Sequence, residues 1–314
     1  MRVAIIGTFQ VGKSTLVNCL LDQALAIVGM GVPTTHLLCH YKKKRAGLPR
    51  NLLFYDSRGI ELGNPVRFST SVLRRIGKIL PEKTIKICFE LDDLGWLEKF
   101  EIIDTPGLDA IGEMAATDEK LTTKAIAHSD CHILVVPNTQ LASSVIHELL
   151  PKIKDTNKPI VCVMNCCASR VSPDPNAQCN METAIDIGHQ LQDSGVLPCA
   201  MRLNNDTIRV LPCNLSWYWV SRKQEIEHKI VNQQTNEMYE VLCARVADWF
   251  SRGGRKRPSN EILAKQSNFD VLTSFFNGQT LDVLNIENYV LLGNAISRYR
   301  KKITKVLSSW QRRV

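Results

Sequence analysis

At 314 residues the chain is long enough for one large α/β domain and an appendage of roughly 100 residues, with no staples needed to close a core. Its 11 cysteines are odd in number, scattered and often set in apolar runs, which excludes a disulfide framework and implies buried thiols in a reducing cytosol. No uncharged apolar run reaches the length of a membrane span, and the first strand starts at residue 2, so we expect neither a transmembrane helix nor an N-terminal signal; the net charge of +8 keeps polyanions open as partners.

The chain opens with the apolar run Val3-Ala4-Ile5-Ile6, which reads as a buried strand. Gly7-Thr8-Phe9-Gln10-Val11-Gly12-Lys13-Ser14-Thr15 follows, a full G-x-x-x-x-G-K-[ST] phosphate loop, and then Leu16 to Leu21, an apolar stretch suited to a helix against a sheet. The glycines Gly7 and Gly12 allow a tight turn whose N–H groups, including those of Val11 and Thr15, face phosphate oxygens at a helix N-terminus. Lys13 has the reach for the β- and γ-phosphates, and the Ser14 hydroxyl suits one Mg²⁺ position. Strand, loop and helix in this order predict binding of a nucleoside triphosphate.

Pro33-Thr34-Thr35 comes next, with Thr35 lying 21 residues after Ser14. A GTPase needs a threonine in its first switch to complete the Mg²⁺ shell and sense the γ-phosphate; Thr35 is the choice and Thr34 the alternate. Lys83 to Leu91 alternates as a strand and is expected to be the second strand of the sheet. Phe100 to Leu108 is an apolar strand ending in Asp104-Thr105-Pro106-Gly107-Leu108. Asp104 stands where a Walker B carboxylate holds Mg²⁺, and Gly107 would offer its N–H to the γ-phosphate.

Cys131 to Val136 reads as a buried strand, Leu141 to Ile153 as a helix, Lys158 to Met164 as a strand, and Thr207 to Pro212 as the sixth strand of the core. Adjacent Cys166-Cys167 lack a partner at zinc-like spacing. Glu225 to Phe250 carries a helical apolar seam at Ile226, Ile230, Met238, Leu242, Val246 and Phe250, broken by the basic loop Gly253 to Ser259. Ser267 caps a further helix. The last segment is amphipathic and holds seven basic residues and no acid from Arg298 to Arg313; Lys42-Lys43-Lys44-Arg45 and Arg252 to Arg257 are the other basic clusters. A solvated surface accounts for such charge, as does contact with anionic lipid or nucleic acid; no recognised RNA module occurs.

The phosphate loop with Leu16 to Leu21, the Pro-Thr-Thr, and Asp-Thr-Pro-Gly-Leu-Asp-Ala together resemble the Era-like and dynamin-like GTPases, especially the bacterial dynamin-like group, over about residues 1–215. The 69 residues from Thr35 to Asp104 favour the dynamin-like side, since large GTPases of that type carry extra elements here. The resemblance implies GTP and GDP as ligands, Mg²⁺, hydrolysis, dimerisation across the nucleotide face and, for many members, action at membranes. Cys213 to Ser216 would be its base-contacting loop. Three departures stand out. Of the base-reading Asn/Thr-Lys-x-Asp only Asn165 is kept, with Cys166 and Ala168 in place of the lysine and aspartate; Asp174 lies nearby. Leu108 stands where Ras-like switches carry a glutamine that orients the attacking water, which a leucine cannot do; dynamin-like and Era-like enzymes also lack that glutamine and recruit help elsewhere. Gln10 replaces an asparagine that in relatives holds K⁺ or Na⁺, and it offers the same amide oxygen one carbon further out.

The expected fold is therefore a P-loop α/β domain with a mostly parallel sheet flanked by helices (1–216), a helical insertion with a basic loop (217–266), and a last core helix plus a basic amphipathic helix (267–314). The expected function is a Mg²⁺-dependent GTP-hydrolysing switch, cytoplasmic or peripheral at a membrane. A catalytically weak nucleotide-binding module, or an unselective nucleotidase serving as an assembly factor, is the alternative. Expected partners are the nucleotide, a second copy of the chain and an anionic membrane surface, ahead of nucleic acid.

Overall fold

The computed structural model describes residues 1–26, 36–73, 75–92, 96–108, 115–137, 149, 151–153, 155–156, 158, 160–165, 201–203, 206–208, 210–222, 233–252, 254 and 256–276. Strands β1 (Arg2–Ile6), β6 (Glu101–Asp104), β7 (Cys131–Pro137), β8 (Ile160–Asn165) and β11 (Val210–Cys213) run parallel as neighbours in the order β11-β8-β7-β1-β6. They are nearly continuous apolar runs because both faces of a parallel sheet are covered. The side chains still sort by face. Val3, Ile5, Ile102, Ile133, Val135, Val161 and Val163 join one core, while Ala4, Ile6, Ile103, Leu134, Val136, Cys162 and Met164 join the other. The first face is packed by α1 (Lys13–Leu21) and by four later helices, α5 (Leu215–Ser221), α6 (Gln233–Arg252), α7 (Asn260–Gln266) and α8 (Phe269–Phe276). The second is packed by α4 (Ala115–His128), with Leu149 and Ile153 beside it. The result is an α/β sheet flanked by helices, as expected.

Beyond β6 the sheet turns antiparallel. β2 (Leu38–Lys43) pairs with β6, placing Cys39 opposite Asp104. β5 (Lys86–Leu91) pairs parallel with β2 over six residues, and β3 (Asn51–Tyr55) and β4 (Val66–Arg67) continue outward. The expectation for Lys83 to Leu91 is thus corrected. It does hold a strand, but β2 takes the place beside β6 and β5 lies one further out. Alternation marks a half-buried strand and carries no information about its neighbour. The short helices α2 (Thr70–Leu73) and α3 (Ile76–Ile79) complete the long stretch between Thr35 and Asp104. Lys42, Lys43 and Lys44 are neutralised by Glu90 (3.3 Å), Glu98 (3.4 Å) and Asp92 (3.2 Å), so the first basic cluster belongs to the sheet extension.

The sixth-strand expectation also divides. Asp206–Ile208 (β10) forms a hairpin with β9 (Met201–Leu203), and only Val210–Cys213 enters the main sheet. Asn214 then caps α5, its side chain accepting from Trp217 N at 3.0 Å. Leu215, Trp217, Trp219 and Val220 of this helix are all buried, each contributing about 1.5–3 kcal/mol. The seam of α6 is seen at Leu242, Val246 and Phe250, with Met238 at its margin. Ile226, Ile230, most of Leu141 to Ile153 and the basic segment 298–314 lie outside the described residues. Among the described residues no helix is long and apolar enough to cross a membrane, and Cys19, Cys39, Cys88, Cys131, Cys162, Cys213 and Cys243 are free thiols.

His132 of β7 is fully buried, with Nε2–H donating to Ile126 O at 3.1 Å, and burial pushes its pKa down from 6.5 to about 4. The folded chain therefore keeps this ring neutral while the unfolded chain takes up a proton, so stability falls as pH drops from about 6.5 toward 4. Compared with wild type, His132→Leu should lose about 2 kcal/mol less stability between pH 7 and pH 5, read by urea denaturation at each pH. Equal losses would remove His132 from the acid response.

Candidate functional site

The loop between β1 and α1 has backbone angles that few residues tolerate. Gly12 has φ +98°, and a Cβ there would meet Asn165 Nδ2 at 2.5 Å. Gly7 at φ +155° has Val135 O where its Cβ would stand, at 2.4 Å. Gln10, exposed at the tip, is also left-handed at φ 60°. Val11 is 2% exposed and anchors the loop in the core. Asn165, at the end of β8, donates its amide to Val11 O at 2.9 Å and so braces the loop from the side. Thr15 stands one residue beyond Ser14 and lines a small cavity with Trp219 and Tyr239.

Lys13 is 7% exposed, and its ammonium donates to Thr8 O at 2.7 Å, folding the side chain back across the loop. Ser14 Oγ donates to Asp104 Oδ2 at 2.9 Å. Asp104 is 1% exposed, and its Oδ1 has no partner among the described residues. Burial pushes its carboxyl up to about 6, against the opposing pull of the Lys13 charge, the Ser14 hydroxyl and the Thr105 backbone. Thr105 Oγ1 is fixed to Ile5 O at 2.8 Å, so Asp104 sits on a strand end tied to β1. The following loop lies against the phosphate loop. Phe9 N donates to Leu108 O at 2.9 Å, and a Cβ on Gly107 would meet Phe9 Cα at 2.9 Å. Leu108 is 8% exposed. The structure thus brings Gly7, Gln10, Val11, Gly12, Lys13, Ser14, Thr15, Asp104, Gly107 and Asn165 to one end of the parallel strands. Thr35, Thr34, Cys166, Ala168 and Asp174 lie outside the described residues.

The sequence matches the 50S ribosome-binding GTPase family over residues 2–166, just over half of the 314 residues. The chain belongs to that family. No curated protein matches it. Among solved structures it is similar to two chains of an oligomerised bacterial dynamin pair described as sensing and tethering membranes. One match has 16% identity and TM-score 0.46, covering 98% of this chain and 45% of that one. The other has 16% identity and TM-score 0.47, covering 98% and 56%. It is also similar to Era of Aquifex aeolicus bound to GDP·AlF4⁻, with 18% identity and TM-score 0.36, covering 71% of this chain and 65% of that one. The chain spans less than two thirds of each of these structures.

Several side chains around this site gave no motif signal in the sequence. Asn18 of α1 is fully buried and clamps Ala26 through both backbone groups, at 2.9 and 2.8 Å. Asp118 in the first turn of α4 is 1% exposed and lies 2.9 Å from His36 Nδ1. Burial raises its carboxyl, while the His36 bond, the His36 charge and the Lys13 charge pull it down. Thr122, one turn later, donates to Pro106 O at 3.1 Å. The only sequence hint was the i, i+4 spacing of Asp118 and Thr122, which puts them on one helix face.

Proposed function

We propose that this chain is a GTP-binding and GTP-hydrolysing switch of the dynamin-like or Era-like type, in which Mg²⁺ assists attack of water on the γ-phosphate. The observation that carries the reading is the Ser14–Asp104 pair, with the buried Oδ1 of Asp104 unpartnered among the described residues. A hydroxyl and a hard carboxylate oxygen at a phosphate loop are a donor set that suits Mg²⁺, with Thr35 proposed as a further ligand. When bound, the metal would neutralise charge shared by the β- and γ-phosphates.

The chain's own groups do the rest. Backbone N–H groups of Val11 to Thr15 cradle the phosphates. Lys13, released from Thr8 O, adds a point charge that is strongest where water is excluded. Gly107 N–H stabilises the γ-phosphate oxygens. Water attacks phosphorus in line, the bond to the bridging oxygen breaks, and GDP and phosphate leave. Asn165 holds the loop in register beside the base. A homodimer across the nucleotide face, K⁺ at Gln10, an anionic membrane surface and a cytoplasmic setting extend this proposal.

One observation favours a second reading, a binding module with little turnover. Leu108 has no polar side chain, and its backbone is engaged with Phe9 and, at 3.4 Å, with Gly7, so no water-orienting group stands at that position. Gln10 separates the two readings. In Gln10→Ala, GTP affinity should stay within about threefold while phosphate release falls by about tenfold or more, and wild-type turnover should differ between K⁺ and Li⁺. A wild-type rate no higher than that of Lys13→Ala would favour the binding module. A measurable rate indifferent to both the cation and Gln10 would end the role given to Gln10.

A further inference from the structure

Asp118 has no part in the phosphate chemistry above, yet it is a buried carboxylate held, among the described residues, by a single side chain. Its Oδ2 meets His36 Nδ1 at 2.9 Å, and its Oδ1 is buried with no partner among the described residues. A buried charge is retained only where its partner is well fixed, so the pair constrains both elements that carry it. His36 directly follows Thr35 in the chain and leads into β2. Thr122, on the same face of α4 one turn on, holds the carbonyl of Pro106, the residue before Gly107. Asp118 and Thr122 are 1% and 0% exposed. One buried polar stripe on α4 thus holds the His36 side chain, next to Thr35 in the chain, and the Pro106 carbonyl, next to Gly107.

The other end of residues 27–35 is held differently. Asn18 fixes Ala26 to α1, the helix that starts in the phosphate loop. One boundary is therefore referred to the phosphate loop, and the other, through α4, to the strand end carrying Gly107.

We infer that Asp118, with Thr122 as a second rung, is a positioning residue for triphosphate recognition. It sets where the chain following Thr35 enters β2 relative to Gly107. The inference rests on the GTPase reading above. A diphosphate needs the phosphate loop alone, whereas a γ-phosphate also needs Thr35 and Gly107. Asp118 therefore acts on the difference between the two ligands rather than on nucleotide affinity in general.

The test is titration of fluorescently labelled GDP and a nonhydrolysable GTP analogue, with Mg²⁺, into the full chain. The double variant His36→Leu/Asp118→Leu removes both partners, so no buried charge is stranded. It should hold GDP within about threefold of wild type and lose about tenfold or more for the analogue. His36→Gln, which keeps an N–H donor, should stay within about threefold for both ligands. Thr122→Val, close in volume and lacking the hydroxyl, should lose analogue affinity selectively, and it gives an independent reading if the double variant does not melt cooperatively. Equal losses for both nucleotides, or unchanged discrimination in the double variant and in Thr122→Val while wild type binds both, would overturn the positioning role alone. Binding of neither nucleotide by wild type would overturn the GTPase reading and this inference with it.

Discussion

Lys13→Ala should lower triphosphate affinity by about 100-fold or more, because a charge-assisted contact to phosphate in a water-poor site contributes about 3 kcal/mol. The side chain is 7% exposed and already lies across the loop, donating to Thr8 O. A nucleotide thus meets a charge already confined to the loop, which has only to exchange Thr8 O for a phosphate oxygen. Diphosphate affinity should fall less than triphosphate affinity, since part of the contact is to the γ-phosphate. Fluorescent-nucleotide titration measures both. Affinity for either nucleotide unchanged from wild type would remove the phosphate-loop assignment.

Asp104→Asn should separate metal binding from folding. The carboxyl is 1% exposed and raised to about 6, so the metal-free fold holds a proton that the unfolded chain gives up near pH 4. Its favourable contribution is complete below the unfolded value and is lost as pH rises through about 6; at neutral pH the bare carboxylate is a cost of about 3 kcal/mol. The asparagine variant should therefore be the more stable metal-free protein at pH 7.5 while losing the Mg²⁺-dependent part of triphosphate affinity. In wild type, Mg²⁺ enhancement of binding should fade as pH drops through about 6, because protons compete for the same oxygen. Paired denaturation and titration, each with and without Mg²⁺, read these effects. Equal loss of affinity with and without metal would show that Asp104 is not the metal carboxylate. His132 changes stability with the opposite sign over the same pH range, so the two contributions are separable only in the single variants.

The parts legible in the sequence are those whose chemistry is local. The phosphate loop needs a strand, two glycines and a lysine within nine residues, and Asp104 to Leu108 is equally compact. Both fold where their motifs place them. Strand order was less legible, because Leu38–Lys43 carries His40, Lys42 and Lys43, and its basic end, continued by Lys44, reads as surface charge until Glu90, Glu98 and Asp92 are brought beside it. The break between Ile208 and Val210, which sends β10 into a hairpin and β11 into the sheet, falls at Arg209, and one basic residue between apolar ones is equally compatible with a single unbroken strand. Asn18, His36, Asp118 and Thr122 were invisible for a related reason. His36 and Asp118 are 82 residues apart, and an aspartate in the first turn of a helix, here followed by Glu119, reads as an ordinary helix-dipole partner.

Nucleotide binding at the phosphate loop is tested most directly by a thermal-shift comparison of GTP, GDP, ATP and ADP, each with and without Mg²⁺, on wild type and Lys13→Ala. A ligand at about 100 times its Kd adds about 2.7 kcal/mol of stability, or roughly 5–10 °C for a domain of this size. GTP and GDP should raise the wild-type midpoint by that order, Mg²⁺ should enlarge the GTP shift, the adenine nucleotides should give little, and Lys13→Ala should abolish the GTP response. Shifts of equal size for ATP and GTP would contradict guanine selectivity, and no shift with any nucleotide would contradict the nucleotide site itself.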